Sequence, residues 1–342
     1  MQLLSELTHP ILQAPIGSAA SVDLAAAVAG AGGMGCLAMT WTEPEIAVQQ
    51  VRRLRQATDG LFSVNFVLAF SLNCFEAVLD EGVPVVTLSW GMAQSAIDRA
   101  HASGAAVGIQ VGSAEAARKA RQAGADFLIC QGLEAGGHVQ SSTPLAQLLV
   151  ETRAVVGSTP LVAAGGLADG HDLAWALDAG ASAAMFGTRF VATHESAAHL
   201  DYKRAIVAAA AKDTACTLCF DGDWPYAGHR VLRNSTLEQW EAAGCPPAGH
   251  RPGDGEKVAT TIAGWHIPRY HIASPKDTTV GEVLDLALYA GTGCEKIVEI
   301  LPAGEVVKRL MAQCRASRPL GFGPGSARRL ESTTVGYPTP MQ

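Results

Sequence analysis

Short apolar runs recur along the chain, each followed by a stretch in which apolar residues return every three or four positions. The runs are Ile11–Ile16, Met34–Met39, Phe62–Val67, Val85–Trp90, Ala106–Val111, Phe127–Gly132, Leu161–Gly166 and Ala183–Phe190. A continuous apolar run is the mark of a strand buried on both faces, and the intervening period is that of an amphipathic helix. The helical stretches include Glu43–Thr58, Met92–Ser103, Ala114–Ala123, Leu145–Val156 and His171–Ala179. Three helices are expected to end in the same dipeptide, at Gly104-Ala105, Gly124-Ala125 and Gly180-Ala181. Glycine there supplies the left-handed residue that stops a helix, and the small alanine permits tight entry into the next strand. Eight strand–helix units by Phe190 predict an α/β chain whose parallel sheet closes into a (β/α)8 barrel.

Beyond Phe190 the alternation breaks. His199–Ala211 reads as the helix after the eighth strand. The stretch 213–279 then turns irregular, with Pro225, Pro246, Pro247, Pro252, Pro268 and Pro275 among Trp224, Tyr226, Trp240 and Trp265. A long aromatic-bearing excursion predicts a lid or small second domain inserted after strand 8. Val280–Ala290 and Glu305–Cys314 read as closing helices, and a Pro-, Gly- and Ser-rich tail follows Arg315. The expected division is a barrel over 1–212, a substrate-side lid over 213–279, and closing helices with the tail over 280–342.

Composition narrows the function. The chain has 342 residues, 48% apolar and 17% charged, which suits one large core and excludes disorder. A net charge of −7 without a basic block argues against a nucleic-acid groove, because phosphates need clustered Lys and Arg. Met1–Pro10 has no basic segment ahead of an apolar run, and Leu24–Met39 is short and broken by glycine. Neither a secretory signal nor a membrane span is expected. Eight cysteines are too sparse for a disulfide scaffold, so reduced thiols in a cytoplasmic protein are expected. Cys216-Thr-Leu-Cys219 lacks a second pair to complete four zinc ligands, and no metal is expected. Oligomeric state, including a homodimer, is left open.

Active sites of such barrels lie at the carboxyl ends of the strands. The seventh strand ends Ala163-Ala164-Gly165-Gly166 and the eighth Phe186-Gly187-Thr188-Arg189. Glycines let bare backbone N–H groups converge on a phosphate, with Thr188 adding a hydroxyl; the alternative for Gly165-Gly166 is a tight turn. The sixth strand leads into Gln131-Gly132-Leu133-Glu134-Ala135-Gly136-Gly137-His138. Gly136 and Gly137 allow close approach to a flat ligand. His138 is delivered to the barrel mouth, where imidazole suits proton transfer, unless it merely orders its loop. Asn65 and Gln110 are amides among apolar strand neighbours, fit either for a polar heterocycle or for hydrogen bonds within the barrel's own loops. Serine-hydrolase, P-loop and zincin signatures are absent.

These segments, with Gln13-Ala14-Pro15-Ile16-Gly17, Val64-Asn65-Phe66, Ser89-Trp90-Gly91 and Gln110-Val111, occur in the order seen in nitronate monooxygenases, formerly 2-nitropropane dioxygenases. The chain resembles that family over about residues 8 to 310. The resemblance implies a TIM barrel binding FMN and a flavin-dependent oxidation of alkyl nitronates, and of nitroalkanes, by O2 to a carbonyl compound and nitrite. It would place Ala14, Pro15 and Ile16 along the flavin ring. Asn65, Gln110 and Gln131 would bond the ring or ribityl chain. Ala164, Gly165, Gly166, Gly187 and Thr188 would lie at the phosphate, and His138 would be the catalytic base. Two features depart from the family pattern. Val139-Gln140-Ser141 stands where Arg-Gly is common, and 213–279 matches no clear pattern. Similar families set the alternatives: flavin-dependent enoyl-acyl-carrier-protein reductases and NAD(P)H-quinone reductases. A non-catalytic FMN-binding protein is the remaining reading.

Overall fold

A computed structural model describes residues 3–318, so the tail from 319 onward lies outside the described residues. The strands in chain order are β1 Ile11–Gln13, β2 Gly35–Ala38, β3 Phe62–Val67, β4 Val85–Ser89, β5 Ala106–Val111, β6 Phe127–Gln131, β7 Gly137–His138, β8 Leu161–Ala164 and β9 Ala183–Phe186. The helices over the same span are α1 Val22–Gly30, α2 Pro44–Ala57, α3 Phe75–Asp80, α4 Gln94–Ala102, α5 Ala114–Gln122, α6 Leu145–Val156, α7 Gly170–Asp178 and α8 Thr188–Val191. Eight strands form one parallel sheet in the order β1-β9-β8-β6-β5-β4-β3-β2. The Leu12–Met34 bridge joins its two ends, so the sheet is a closed barrel. Backbone pairing at that seam is thin. The Gln13 side chain compensates, donating to the Cys36 carbonyl at 2.9 Å and accepting from the Cys36 N–H at 3.2 Å.

Leu12, Met34, Val85, Phe127, Ile129, Val162 and Met185 pack together as one buried cluster with Leu3 and Leu4. Gly108 in β5 makes room for the Phe127 ring, since a Cβ there would come within 2.3 Å of Phe127 Cζ. A larger cluster of aliphatic residues packs helices against the sheet. Gly104, Gly124 and Gly180 end their helices at φ of +88°, +99° and +89°, as the Gly-Ala dipeptides predicted. Two strand ends are shorter than their apolar runs. Ala14–Ile16 lies beyond β1, and Thr188–Val191 coils into α8 rather than extending β9.

After α9, Leu200–Ala208, come β10 Thr214–Thr217, β11 His229–Leu232, α10 Ser235–Ala242, β12 Lys257–Thr260, β13 His266–Pro268 and β14 Val280–Gly281. Strands β10, β11 and β7 form one antiparallel sheet, and β13, β12 and β14 a second. The apolar clusters here are small. Buried cations specify much of the packing: Arg251 pairs with Asp221 at 2.7 Å, and Arg269 with Glu256 at 3.0 Å and Asp285 at 3.1 Å.

The expectation of a helix over Val280–Ala290 is wrong. Val280–Gly281 pairs with β12, Val283–Asp285 is one 3-10 turn, and Leu288 accepts from the Leu232 N–H. Asn234 takes the Leu284 and Leu286 carbonyls, and Thr236 that of Asp285. The helix-like spacing of Val283, Leu286 and Ala287 reflects burial against several neighbours, while side chains supply the hydrogen bonds a helix would make. The second closing helix is present as α11, Ala303–Ser317, packed on α7. No helix among the described residues is long and apolar enough to cross a membrane.

Candidate active site

A cavity of about 630 Å3 opens at the carboxyl ends of the barrel strands. Ala14, Pro15, Ile16, Asn65, Gln110, Gln131, Gly136, Gly137, His138, Ala164, Gly165, Gly166, Gly187 and Thr188 all line it. The structure thus brings every sequence-selected residue to one site, in the size range of small-molecule pockets.

The polar wall is built of amides. Gln110 Nε2 donates to Gln131 Oε1 at 3.0 Å, and Gln131 Nε2 donates to the His138 carbonyl at 3.2 Å. Asn65 Nδ2 donates to the carbonyl and hydroxyl of Thr87, both at 3.1 Å. Each amide is therefore oriented by the barrel while keeping capacity for a further bond.

At one end of the cavity the floor is bare backbone. Gly165 and Gly166 have φ of +116° and +70°, a region L side chains rarely adopt. The N–H groups of Gly165, Gly166 and Gly187 bond no backbone carbonyl among the described residues. Thr188 Oγ1 accepts from the Gly291 N–H at 3.0 Å, which leaves its own hydroxyl proton to donate. These groups fit an anion such as a phosphate, and the amide wall fits a flat polar heterocycle. Gly136 lines the cavity and also serves the packing of the loop. A Cβ there would lie 2.5 Å from Gly291 N, so this glycine lets two backbones touch. Glu134 in the same loop faces away from the cavity, where its carboxylate accepts from the Leu145 N–H at the start of α6.

His138 sits in β7, which pairs with β11 so that His138 faces His229 and Gly137 faces Arg230. Its Nε2 is fully buried with no hydrogen-bond partner in the structure. Burial first, and then the nearby His229, push its pKa down to about 3, so the ring is neutral at ordinary pH. His229 is fully engaged: Nδ1 donates to the Ala227 carbonyl at 2.9 Å and Nε2 accepts from the Phe220 N–H at 3.2 Å. The sequence singled out His138 by strand position. Its pairing with a strand some ninety residues later carries no local signal.

The roof of the cavity is aromatic, and none of its rings was named as a site residue from the sequence. Trp224 stacks on His138 with ring centres 4.2 Å apart and planes at 23°. It also meets Trp90 edge-on at 4.7 Å and Phe70 at 4.9 Å, and Phe70 in turn meets Trp41 at 4.9 Å. Trp90 holds a left-handed φ of +59°, which turns the chain at the end of β4. Tyr289 adds a ring 5.4 Å from His138, its hydroxyl donating to the Ile272 carbonyl at 2.8 Å. No lysine or arginine lines the cavity among the described residues, and Asp223 is its one carboxylate. Trp224 in a Pro-rich aromatic excursion and Trp90 in the Ser89-Trp90-Gly91 motif were the legible hints of this roof.

The sequence model of nitronate monooxygenases matches residues 1–74 and 69–313. The chain belongs to the nitronate monooxygenase family. It is 30% identical to a nitronate monooxygenase of Pseudomonas aeruginosa, over 90% of this chain and 97% of that one. A nitroalkane oxidase structure from Streptomyces ansochromogenes superposes with a TM-score of 0.76 at 30% identity, covering 92% and 98% of the two chains. A second kind of relative is also present. A (3aS,4S,5R,7aS)-5-hydroxy-7a-methyl-1-oxo-octahydro-1H-indene-4-carboxyl-CoA dehydrogenase of Mycobacterium tuberculosis is 36% identical over 69% of this chain. That match spans 66% of the relative's own length. Membership makes the chain a flavin-dependent oxidoreductase on a TIM barrel. The glycine floor and amide wall are a fit for such a cofactor.

Proposed function

We propose that the chain binds FMN and oxidises alkyl nitronates, and the neutral nitroalkanes from which they form, with O2, giving a carbonyl compound and nitrite. Gly165, Gly166, Gly187 and Thr188 would hold the phosphate. Asn65, Gln110 and Gln131 would bond the ring or ribityl chain, with Ala14, Pro15 and Ile16 along the ring. Bound flavin would supply the electron acceptor and the route to O2.

One observation carries the reading of the substrate. The cavity combines the neutral imidazole of His138 with a wall free of lysine and arginine among the described residues. Such a pocket gains little from binding an anion in its ground state and favours a neutral C–H acid. The His138 imidazole takes the α-proton, and the electron pair left on carbon is delocalised into the nitro group. The aromatic roof excludes water around the carbanion as it forms. A nitronate that arrives already deprotonated needs only positioning.

A second reading is dehydrogenation of an acyl thioester, the substrate class in the name of the Mycobacterium tuberculosis relative. It needs the same base, and a side groove of the cavity favours it. One anaerobic experiment separates the readings. The purified protein is mixed in turn with nitroalkane, nitronate, acyl-CoA and NADH while the flavin absorbance is followed. The expected result is bleaching by nitro compounds, with nitrite released on re-aeration. Bleaching by NADH alone would move the protein to the reductases, and bleaching by none of the four would make it a flavin-binding protein without this chemistry.

A further inference from the structure

Beside the cavity lies a polar groove of about 480 Å3, lined in part by Gly91, Gln110, Gly112, Gln140, Ser142 and Lys119. Gln110 lines both spaces, so the two adjoin at this residue. We propose that this groove is a subsite for the uncharged, amide-bearing arm of a pantetheine-type thioester. The inference rests on the second reading above and gives it a place in the structure.

The groove is preformed. Ser141 Oγ has the Gly112 carbonyl at 2.9 Å and the Thr143 carbonyl at 3.1 Å within reach of its one proton, and accepts from the Thr143 N–H at 3.0 Å. These bonds fix the 140–143 loop against β5. Gly112 is required at that contact, because a Cβ there would come within 3.0 Å of Ser141 N. Gln140 and Ser142 flank Ser141 with exposed side chains that line the groove. Gln110 spends one amide hydrogen on Gln131 and keeps its carbonyl oxygen as an acceptor. The wall thus offers amide and hydroxyl groups that both donate and accept, the chemistry that pairs with amides strung along a chain.

Charge decides against a dinucleotide or any other pyrophosphate in the same space. Lys119 is the one cation lining the groove among the described residues, and its Nζ is paired with Glu115 at 2.8 Å. A phosphate would find no free cation there, whereas a neutral arm needs none. The groove volume lies within the ~300–1,000 Å3 of ligand sites, enough for an arm but not for the whole carrier. The nucleotide of coenzyme A, or a carrier protein, therefore remains outside.

The test is a titration of the flavin-loaded protein with unreactive S-hexyl thioethers, followed by the flavin difference spectrum. The probes are S-hexyl N-acetylcysteamine with one amide, S-hexyl pantetheine with two, S-hexyl coenzyme A, and the S-hexyl arm on an acyl carrier protein. Binding should tighten about tenfold or more from the first probe to the second. It should change less than about threefold from pantetheine to coenzyme A. A further gain on the carrier protein would identify a protein-borne source, and equal binding of pantetheine and coenzyme A with none on the carrier protein a free one; both support the groove. Ser142→Trp and, independently, Gln140→Trp should abolish the pantetheine gain and leave nitronate oxidation unchanged. Equal affinity for all the small probes, or a gain that survives both substitutions, overturns the proposal. A gain seen only with coenzyme A overturns the neutral arm. Nitronate oxidation measured on the same preparations keeps the outcomes apart: its absence sinks the first reading without touching the arm dependence.

Discussion

The floor and the roof of the cavity are made by opposite means. The floor belongs to the barrel: glycine backbone at Gly165, Gly166 and Gly187, and amides held by neighbouring strands. The roof is side chain, with Trp41, Phe70, Trp90, Trp224 and Tyr289 arriving from separate loops, two of them from segments beyond the barrel. A backbone floor recognises what every cofactor molecule presents alike, a phosphate and a flat heterocycle, and owes little to side-chain identity. An aromatic roof recognises size and excludes water, and changes with each substitution. The floor should set whether flavin is held, and the roof and His138 what happens to the substrate.

The hardest test of that division falls on His138, which lies between the two. His138→Asn should lower kcat/KM on a neutral nitroalkane by about 10²–10⁴-fold, the usual worth of a general base. Activity on the nitronate should fall much less, with flavin content unchanged, because no side-chain hydrogen bond of His138 is lost. Equal loss on both substrates would make His138 a positioning residue. The sign of the pH dependence follows from its pKa of about 3. The free base persists from alkaline pH down to that value, so the nitroalkane profile should show no acid limb near the ordinary pKa of ~6.5. For stability, the unfolded chain binds a proton that the folded chain refuses between ~6.5 and about 3. The contribution is complete above ~6.5 and is lost as pH falls through that window, and His138→Asn should flatten the decline.

The floor is tested at Gly187. Its φ is negative, and a Cβ there meets only Ala14 Cβ at 3.6 Å and Ile16 Cγ2 at 3.8 Å, ordinary contact. Gly187→Asp therefore adds a charge without the backbone strain that a substitution at Gly166 would bring. Like-charge contact with a phosphate costs several kcal/mol, so flavin affinity should fall by about a hundredfold or more. Equilibrium dialysis against FMN measures this, and thermal unfolding of the flavin-free protein should be unchanged. Full flavin retention would remove the phosphate from this end of the cavity.

The same division explains what was legible in the sequence. Strand positions were readable because burial on both faces forces continuous apolar runs, and Gly104, Gly124 and Gly180 punctuate them at the required left-handed φ. Once the barrel is inferred, strand ends converge by topology, so the floor residues could be found without any contact being known. Gln13 shows the limit of that logic. It stands in a sequence motif beside the cavity-lining Ala14–Ile16, yet its amide serves the β1–β2 seam. The roof was opaque because its placement depends on β7 meeting β11 and on Trp90 adopting a left-handed turn, neither of which has a local periodicity. Val280–Ala290 misled for the same reason: its apolar spacing answers to neighbours from β12, β11 and α10 rather than to one helix face.

The smallest expected effect, and the sharpest on the roof, is Trp224→Ala. Trp224 touches His138, Trp90 and Phe70, and aromatic pairs contribute ~0.5–1.5 kcal/mol each beyond area burial. The folded protein should lose about 1.5–4.5 kcal/mol of stability, while flavin content stays whole because no floor residue is touched. KM for short nitroalkanes should rise by about tenfold or less, and longer chains should gain relative to them as the roof opens. Removing the indole also admits water to the imidazole, and burial is the first cause of its depressed pKa. The acid limb of the nitroalkane profile should therefore move up from about 3 toward the ordinary histidine value. Trp224→Phe should restore the stacked face and much of the depression, which separates enclosure of the base from a general loosening of the segment around Trp224. If Trp224→Ala shifts neither the acid limb nor the chain-length preference, the roof is packing alone, and substrate choice must be sought among the floor amides.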